Sequence, residues 1–338
     1  MSLSASSRIG LRRGAGRRRA AVVPRLVVLG DVVLDIVARS DGPLEPASDV
    51  PGTVRFRAGG SAANTARAFA GLGGRSTFIG AVGGDRWARR LTAALRAESV
   101  TVQAVPKARP TARLVVLVGS DGERSFVVER GAADALEARD LEEAWFRSCD
   151  ALHLPGYSLF AEPLAGAARR GAAMAREREA VVSVDLASRA PLLAMGRRRA
   201  WQVLGEVRPS VIFGNVGEVT ALTGERREER LLGLAPLVVV KEGAAGCRVL
   251  ARVGEGSEVL RLAVATTRIA ARDTTGAGDA FDAGFLHSIL SARREAGSLP
   301  GDPGSLPRDP GALRRAALAG HRAAAALLRS PRAELTDR

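Results

Sequence analysis

One stretch of the chain holds residue types that a phosphoryl transfer would use: Asp273-Thr274-Thr275-Gly276-Ala277-Gly278-Asp279-Ala280-Phe281. Phe281, Phe285 and Ile289 follow at helical spacing, which puts the glycines in a turn at a helix N-terminus. Unpaired backbone amides and the positive end of the helix dipole make such a turn a receptor for phosphate. Gly276 and Gly278 let the backbone approach an anion with no Cβ in the way. Asp279 is the one carboxylate inside that pocket. It either orients a hydroxyl and takes its proton while the amides balance charge on the moving phosphoryl group, or it only caps its own helix.

The elements that must position these residues follow from hydrophobic periodicity. Val- and Ile-rich runs at Leu26–Leu29, Thr77–Ile79, Ala151–Leu154, Val181–Asp185, Val211–Phe213 and Leu237–Val240 alternate with Ala/Leu/Arg segments of helical period. That alternation predicts βαβ units around a mostly parallel sheet covered by helices, a three-layer α/β/α core. One helix begins near Ser61, with Ala62, Ala66, Phe69 and Ala70 on one face before Gly71 and Gly73. Two stretches look antiparallel instead. Leu114–Val118 and Ser125–Glu129 flank Ser120-Asp121-Gly122-Glu123, a hairpin signal, and Val50–Arg57 adds a further strand. This small β-sheet either covers a site at the carboxyl ends of the parallel strands or is an ordinary surface hairpin. Ser298–Gly311, broken by Pro and Gly, reads as a flexible loop between two helices.

Composition excludes several classes of function. The formal charge is +14, but only Lys107 and Lys241 are lysine and the other 48 basic residues are arginine, a bias that looks like codon composition. Clustering is confined to residues 1–24, where Arg8, Arg12, Arg13, Arg17, Arg18 and Arg19 occur with no acid and no aromatic. That segment reads as a disordered tail, with an organelle-targeting peptide as the alternative, and base stacking is unavailable to it. No Gly-Lys pair exists, so there is no P-loop, and neither GxGxxG nor GxSxG occurs. The uncharged runs are too short for a membrane-spanning helix. Cys149 and Cys247 offer neither a disulfide framework nor metal-ligand spacing, and a reducing cytoplasm is the expected compartment.

The block Asp273–Phe281 resembles the second signature of the ribokinase-like, or PfkB-type, carbohydrate kinases. Gly59-Gly60-Ser61-Ala62-Ala63-Asn64-Thr65-Ala66, running on to Gly80–Asp85, is similar to the first. Gly30-Asp31-Val32-Val33-Leu34-Asp35 resembles the family's opening strand, Asn215-Val216-Gly217-Glu218 its Asn-x-x-Glu motif, and Val240–Gly246 its nucleotide-side strand and turn. The resemblance implies transfer of the γ-phosphate of ATP to a sugar-like hydroxyl, with Mg²⁺ as cofactor. It makes Asp279 the catalytic base and the amides of Gly276, Ala277 and Gly278 an anion hole. Asp35, Gly59, Gly60 and Asn64 would hold substrate hydroxyls; Asp31 is a second acid there, or else caps the strand end. Asn215 and Glu218 would face the phosphates, Glu218 reaching Mg²⁺ through water, while Lys241, Gly243, Ala244 and Gly246 border the nucleotide. Asp273 and the Thr275 carbonyl match a monovalent-cation site of some relatives, so K⁺ activation is open. The other half of that site is not matched at Ser330-Pro331-Arg332. Lys241 stands where the family commonly has a small hydroxylated residue, and either reaches a phosphate or is solvated.

The resulting division is a tail over residues 1–24 and one kinase domain over 25–333, with lid segments at about 41–57 and 111–130. Relatives often dimerise through their lids, and the β-rich hairpin would allow a homodimer here, while the sequence leaves the oligomeric state open. Two other readings stay open. A nucleoside kinase has the same fold and motifs, although aromatics at 4% of the chain favour a sugar. A non-catalytic protein would bind a small ligand in the core and nucleic acid through the Arg-rich tail, but would have no chemical need of Asp279, Asn64 and Glu218 together.

Overall fold

A computed structural model describes residues 23–44, 46–119, 123–225, 227–253, 258–271, 273–295, 306–330 and 333–335. Most of the Arg-rich tail, the tip of the Ser120–Glu123 turn and most of the Ser298–Gly311 loop lie outside the described residues.

Among the described residues, thirteen strands form two sheets. In chain order they are β1 (Arg25–Leu29), β2 (Val33–Ser40), β3 (Gly52–Gly59), β4 (Arg75–Val82), β5 (Val100–Pro106), β6 (Arg113–Val118) and β7 (Arg124–Glu129). β8 (Ala151–Pro155), β9 (Val181–Asp185), β10 (Val211–Asn215), β11 (Leu237–Lys241), β12 (Cys247–Arg252) and β13 (Val259–Val264) follow. The helices are α1 (Ser61–Gly71), α2 (Arg86–Ala97), α3 (Leu164–Arg176), α4 (Arg189–Met195), α5 (Arg197–Val207), α6 (Val216–Thr223), α7 (Ala277–Glu295) and α8 (Pro310–Arg329).

The large sheet runs β13-β12-β11-β10-β9-β8-β1-β4-β5, parallel except for the β11-β12 and β12-β13 pairs. Its central strands read as continuous apolar runs because both faces are covered. β1 shows this at single-residue resolution. Leu26 and Val28 join one core with Phe69, Phe78, Phe213, Phe285 and Leu313, whereas Val27 and Leu29 join the other with Leu152, Val182, Ile212 and Val238. The strand's period of two thus assigns α1, α7 and α8 to one face and α3, α5 and α6 to the other. All six expected strands lie in this sheet. β5, β12 and β13 are additional; Arg248 and Arg252 interrupt the apolar run of β12 and Arg261 that of β13, which hides them in a search for buried runs.

The small sheet has the order β3-β2-β6-β7. The expected hairpin is β6-β7, antiparallel from Arg113 opposite Glu129 to Val118 opposite Arg124. Two points differ from expectation. Val33–Ser40 belongs to this sheet although the expected lid segments omit it, and the central β2-β6 pair is parallel rather than antiparallel. The sheet is two hairpins joined side by side, a pairing that no local turn signal encodes. Gly311 lies inside α8 rather than in the preceding loop, because Asp309 caps the helix at the Ala312 amide (2.8 Å) and Pro310 occupies its first turn.

Parallel strands end together, so the residues at the carboxyl ends of β1, β9, β10 and β11 share one edge of the large sheet. Those residues include Asp31, Asp185, Asn215 and Lys241.

Candidate active site

A cavity of about 1030 Å³ opens along that edge. Asp31, Asp35, Gly60 and Asn64 line one part and Asn215, Glu218, Lys241 and Gly243 another, while Thr274, Thr275, Gly276, Gly278 and Asp279 come from the turn before and into α7. Leu114, Phe126 and Val128 of the small sheet face the same space. Sequence positions more than two hundred residues apart therefore meet in one cleft.

Asp279 lies in the first turn of α7, yet its carboxylate bonds side chains of α1: Oδ1 accepts from Ser61 Oγ (2.6 Å) and Oδ2 from Asn64 Nδ2 (2.8 Å). The two glycine-rich blocks thus interlock, and both of these bonds lead away from the helix it would otherwise cap. Burial pushes this carboxyl up to about 6, the two hydrogen bonds opposing the rise. Gly60, which starts α1, has φ 98°, and a Cβ there would fall 2.6 Å from the Asp31 carbonyl. Gly276, at φ 82°, turns the chain into α7 beside Asn64. The Ala277 amide, expected in the anion hole, donates to the Thr274 carbonyl at 3.1 Å and closes the turn. Gly276 and Gly278 remain the glycines of this turn that line the cavity.

Lys241 is not solvated. Its ammonium donates to Asp185 Oδ1 and to both oxygens of Asp282, each at 3.1 Å, and a Cβ on Gly278 would lie 3.3 Å from Nζ. Burial alone would lower the ammonium pKa, but the charges of Asp185, Asp282 and Glu218 raise it well above the ordinary lysine value. A fixed positive charge consequently abuts the glycine turn. Asp185 and Asp282 escaped the sequence reading, although each had a signal. Asp185 closes a predicted strand at the edge where sites form, and Asp282 lies one helical turn beyond Asp279.

Asn215 and Glu218 engage each other. The Asn215 side chain accepts from the Glu218 amide (3.0 Å), while Glu218 accepts from the Asn215 amide and from Nδ2, both at 2.7 Å. This capping box starts α6 and holds the Glu218 carboxylate at the cavity wall, where burial pushes it up to about 7. A buried carboxylate beside Asp185 suits a hard cation that keeps most of its water and phosphate ligands, as Mg²⁺ does. Among the described residues there is no cluster of three or more His, Cys, Asp or Glu that would form an all-protein cage.

At the other end, Asp31 Oδ1 accepts from the Ala62 amide (3.3 Å) and Oδ2 from Arg130 Nη1 (2.7 Å). Arg130 also bonds Asp134 (3.0 Å) and lies 5.3 Å above the Tyr157 ring. It too was missed. Asp35 is 3% exposed, and a Cβ on Gly59 would fall 2.3 Å from its carboxylate, so Gly59 makes room for that acid. Ala244 and Gly246 do not line the cavity. Ala244 is exposed, and Gly246 packs against the Val264 carbonyl at the β12-β13 end.

The model of the pfkB family of carbohydrate kinases matches residues 23–336. The chain belongs to that family. It is a carbohydrate kinase of ribokinase-like α/β fold. A curated relative named "Probable fructokinase-4" from Arabidopsis thaliana is 32% identical over 279 residues, 79% of this chain and 83% of its own length. The crystal structure of adenosine kinase from Sinorhizobium meliloti superposes with a TM-score of 0.73 at 24% identity, over 93% of this chain and 98% of that one. Fructokinase from Vibrio cholerae O395, in a fructose, ADP and calcium ion bound form, gives 0.70 at 24% identity, over 91% and 94%. Among the described residues of the kinase, no helix is long and apolar enough to cross a membrane.

Proposed function

We propose that this kinase transfers the γ-phosphoryl group of ATP to a hydroxyl of an uncharged sugar of the fructose class. The observation that carries this reading is Asp279, a carboxylate held at the cavity by Ser61 and Asn64 and pushed up to about 6. Such a group is ionised at neutral pH and close enough to it to accept a proton as the hydroxyl attacks. The hydroxyl hydrogen passes to Asp279, the hydroxyl oxygen bonds the γ-phosphorus, and the bond to the β,γ-bridging oxygen breaks to release ADP.

Charge on the moving group is met by the amides of Gly276 and Gly278 and by the Lys241 ammonium, which Asp185 and Asp282 hold against the turn. Mg²⁺, bound through water to Glu218 and by the ATP phosphates, would neutralise phosphate charge. Asp31, Asp35 and Asn64 offer carboxylate acceptors and an amide donor together, a set suited to a vicinal diol. Asp31 and Asp134 both bond Arg130, two carboxylates on one guanidinium at the cavity wall, an arrangement that disfavours phosphorylated or acidic sugars. The small sheet then acts as the lid that excludes water from the reaction. Support for a sugar over a nucleoside comes from curated relatives that bear the names fructokinase or probable fructokinase.

Purified protein would be assayed for ADP release from Mg-ATP against pentoses, hexoses, sugar phosphates, sugar acids and nucleosides. Turnover dependent on a neutral hexose or pentose is the expected result. Turnover with a nucleoside alone would overturn the sugar assignment, and ATP binding without turnover on any acceptor would overturn the catalytic one.

A further inference from the structure

Asp273 opens the turn that carries the anion-hole glycines. Its Oδ1 accepts from the Thr275 amide at 3.1 Å and the Thr275 hydroxyl at 2.7 Å. Two guanidinium groups reach the same carboxylate: Arg124 Nη1 lies 3.3 Å from Oδ1 and Arg57 Nη1 lies 3.0 Å from Oδ2. Arg57 belongs to β3 and Arg124 to β7, the two opposite edges of the small sheet. One carboxylate therefore ties both edges of that sheet to the loop leading into α7. The backbone behind Arg57 is itself held, because the Leu335 amide donates to the Phe56 carbonyl at 2.8 Å and Glu334 bridges β3 at Arg57.

A monovalent cation at Asp273 and the Thr275 carbonyl does not fit these residues. Each carboxylate oxygen of Asp273 already accepts from a guanidinium, so an alkali ion drawn to Asp273 would meet both cations at contact distance. We propose that Arg57 and Arg124 take the electrostatic part of that ion. They hold Asp273, and through its bonds to Thr275 they order the turn whose glycine amides face the phosphoryl group, which makes turnover independent of potassium. Arginine suits the task because its charge persists at every working pH and its planar fork is pre-organised for carboxylate. Both residues act through Asp273 and are positioning residues. Because both extend from the small sheet, the charge is in place only while the sheet lies over the cavity, and closure and anion-hole order become one event.

The inference rests on the kinase reading, and the experiment separates the two. ADP release is measured at saturating sugar and Mg-ATP in tetramethylammonium buffer, then with potassium chloride at matched ionic strength. Wild-type kcat should differ by less than about two-fold between the salts, a change that ionic screening alone covers. In Arg57→Ala/Arg124→Ala, kcat should fall about ten-fold or more with sugar KM little changed, and potassium or guanidinium ion should restore it. Arg57→Lys should retain most of the activity without either ion. If the double variant fails to fold, Arg124→Ala alone should acquire the same potassium response. Wild-type turnover only with potassium, a double variant at wild-type kcat, or a loss that neither ion restores would each overturn the inference and leave the kinase reading intact. Wild-type protein inactive in both salts on every acceptor would overturn both.

Discussion

Replacing Asp279 with asparagine keeps the side-chain shape and removes charge and basicity, so it isolates the proton-accepting role. An asparagine has one acceptor oxygen for the two donors, Ser61 Oγ at 2.6 Å and Asn64 Nδ2 at 2.8 Å, and loses one charge-assisted hydrogen bond. That loss costs about 1.5–3 kcal/mol. Against it stands the relief of an unfavourable charge. Burial lifts the carboxyl from 3.8 to about 6, a penalty on the ionised form of about 3 kcal/mol at neutral pH. Because about 6 is the value with both hydrogen bonds already counted, the relief outweighs their loss, and the unfolding midpoint at pH 7 should not fall. Catalysis has no such compensation. An amide cannot take the hydroxyl proton, and a general base is worth about 100- to 10,000-fold, about 3–5 kcal/mol of barrier. The assay is steady-state ADP release with the sugar varied at saturating Mg-ATP, together with calorimetric ATP binding and thermal unfolding on the same preparations. Asp279→Asn should lose at least about 100-fold in kcat/KM while ATP affinity and midpoint hold. A variant within about ten-fold of wild type would refute the assignment of the base.

Activity and stability should respond to pH in opposite directions. As pH falls through about 6, Asp279 takes up its proton and kcat/KM drops. Because its folded pKa is raised above 3.8, its ionisation penalty is complete above about 6 and absent below about 4, so this group makes the fold more stable as pH falls across that window. Asp279→Asn should flatten that part of the denaturation profile, and an unchanged slope would remove Asp279 as its source. Lys241→Met leaves Asp185 and Asp282 buried without their counter-ion and should cost about 3–5 kcal/mol in urea unfolding, part of it recovered by adding Asp282→Asn; a loss under about 1 kcal/mol would mean the network is solvated. Gly60→Ala places a Cβ 2.6 Å from the Asp31 carbonyl at φ 98°, so it should destabilise by about 1–3 kcal/mol and raise sugar KM, with unfolding and kinetics as the checks.

Local signals and tertiary pairings divide the molecule unevenly. The strands β1, β4, β8, β9, β10 and β11 were legible because both of their faces are buried and their apolar runs need no partner to be recognised. The small sheet was half legible. Its β6-β7 hairpin announces itself by the turn between the strands, but β2 looks like an extension of the opening strand until its parallel pairing with β6 is known. Hydrogen-bond partners of that kind are chosen by the packing of distant segments.

The site shows the same division. Sequence alone determined the chemistry-bearing turn at Gly276–Asp279 and the helix opened by Gly60 and Ser61, because each is a local backbone requirement written in adjacent residues, whereas the mutual capping of Asn215 and Glu218 came from the structure. What the tertiary structure decided is what those residues face. Asp279 turns to Ser61 and Asn64 across the cleft, Lys241 is claimed by Asp185 and Asp282, and Asp273 is claimed by two arginines from opposite edges of the small sheet. With 48 arginines in the chain, composition could not single out Arg57, Arg124 and Arg130, since any of them matches a carboxylate. Charge pairing depends on distance and burial, and both follow from strand order and from the way the small sheet reaches across the cavity.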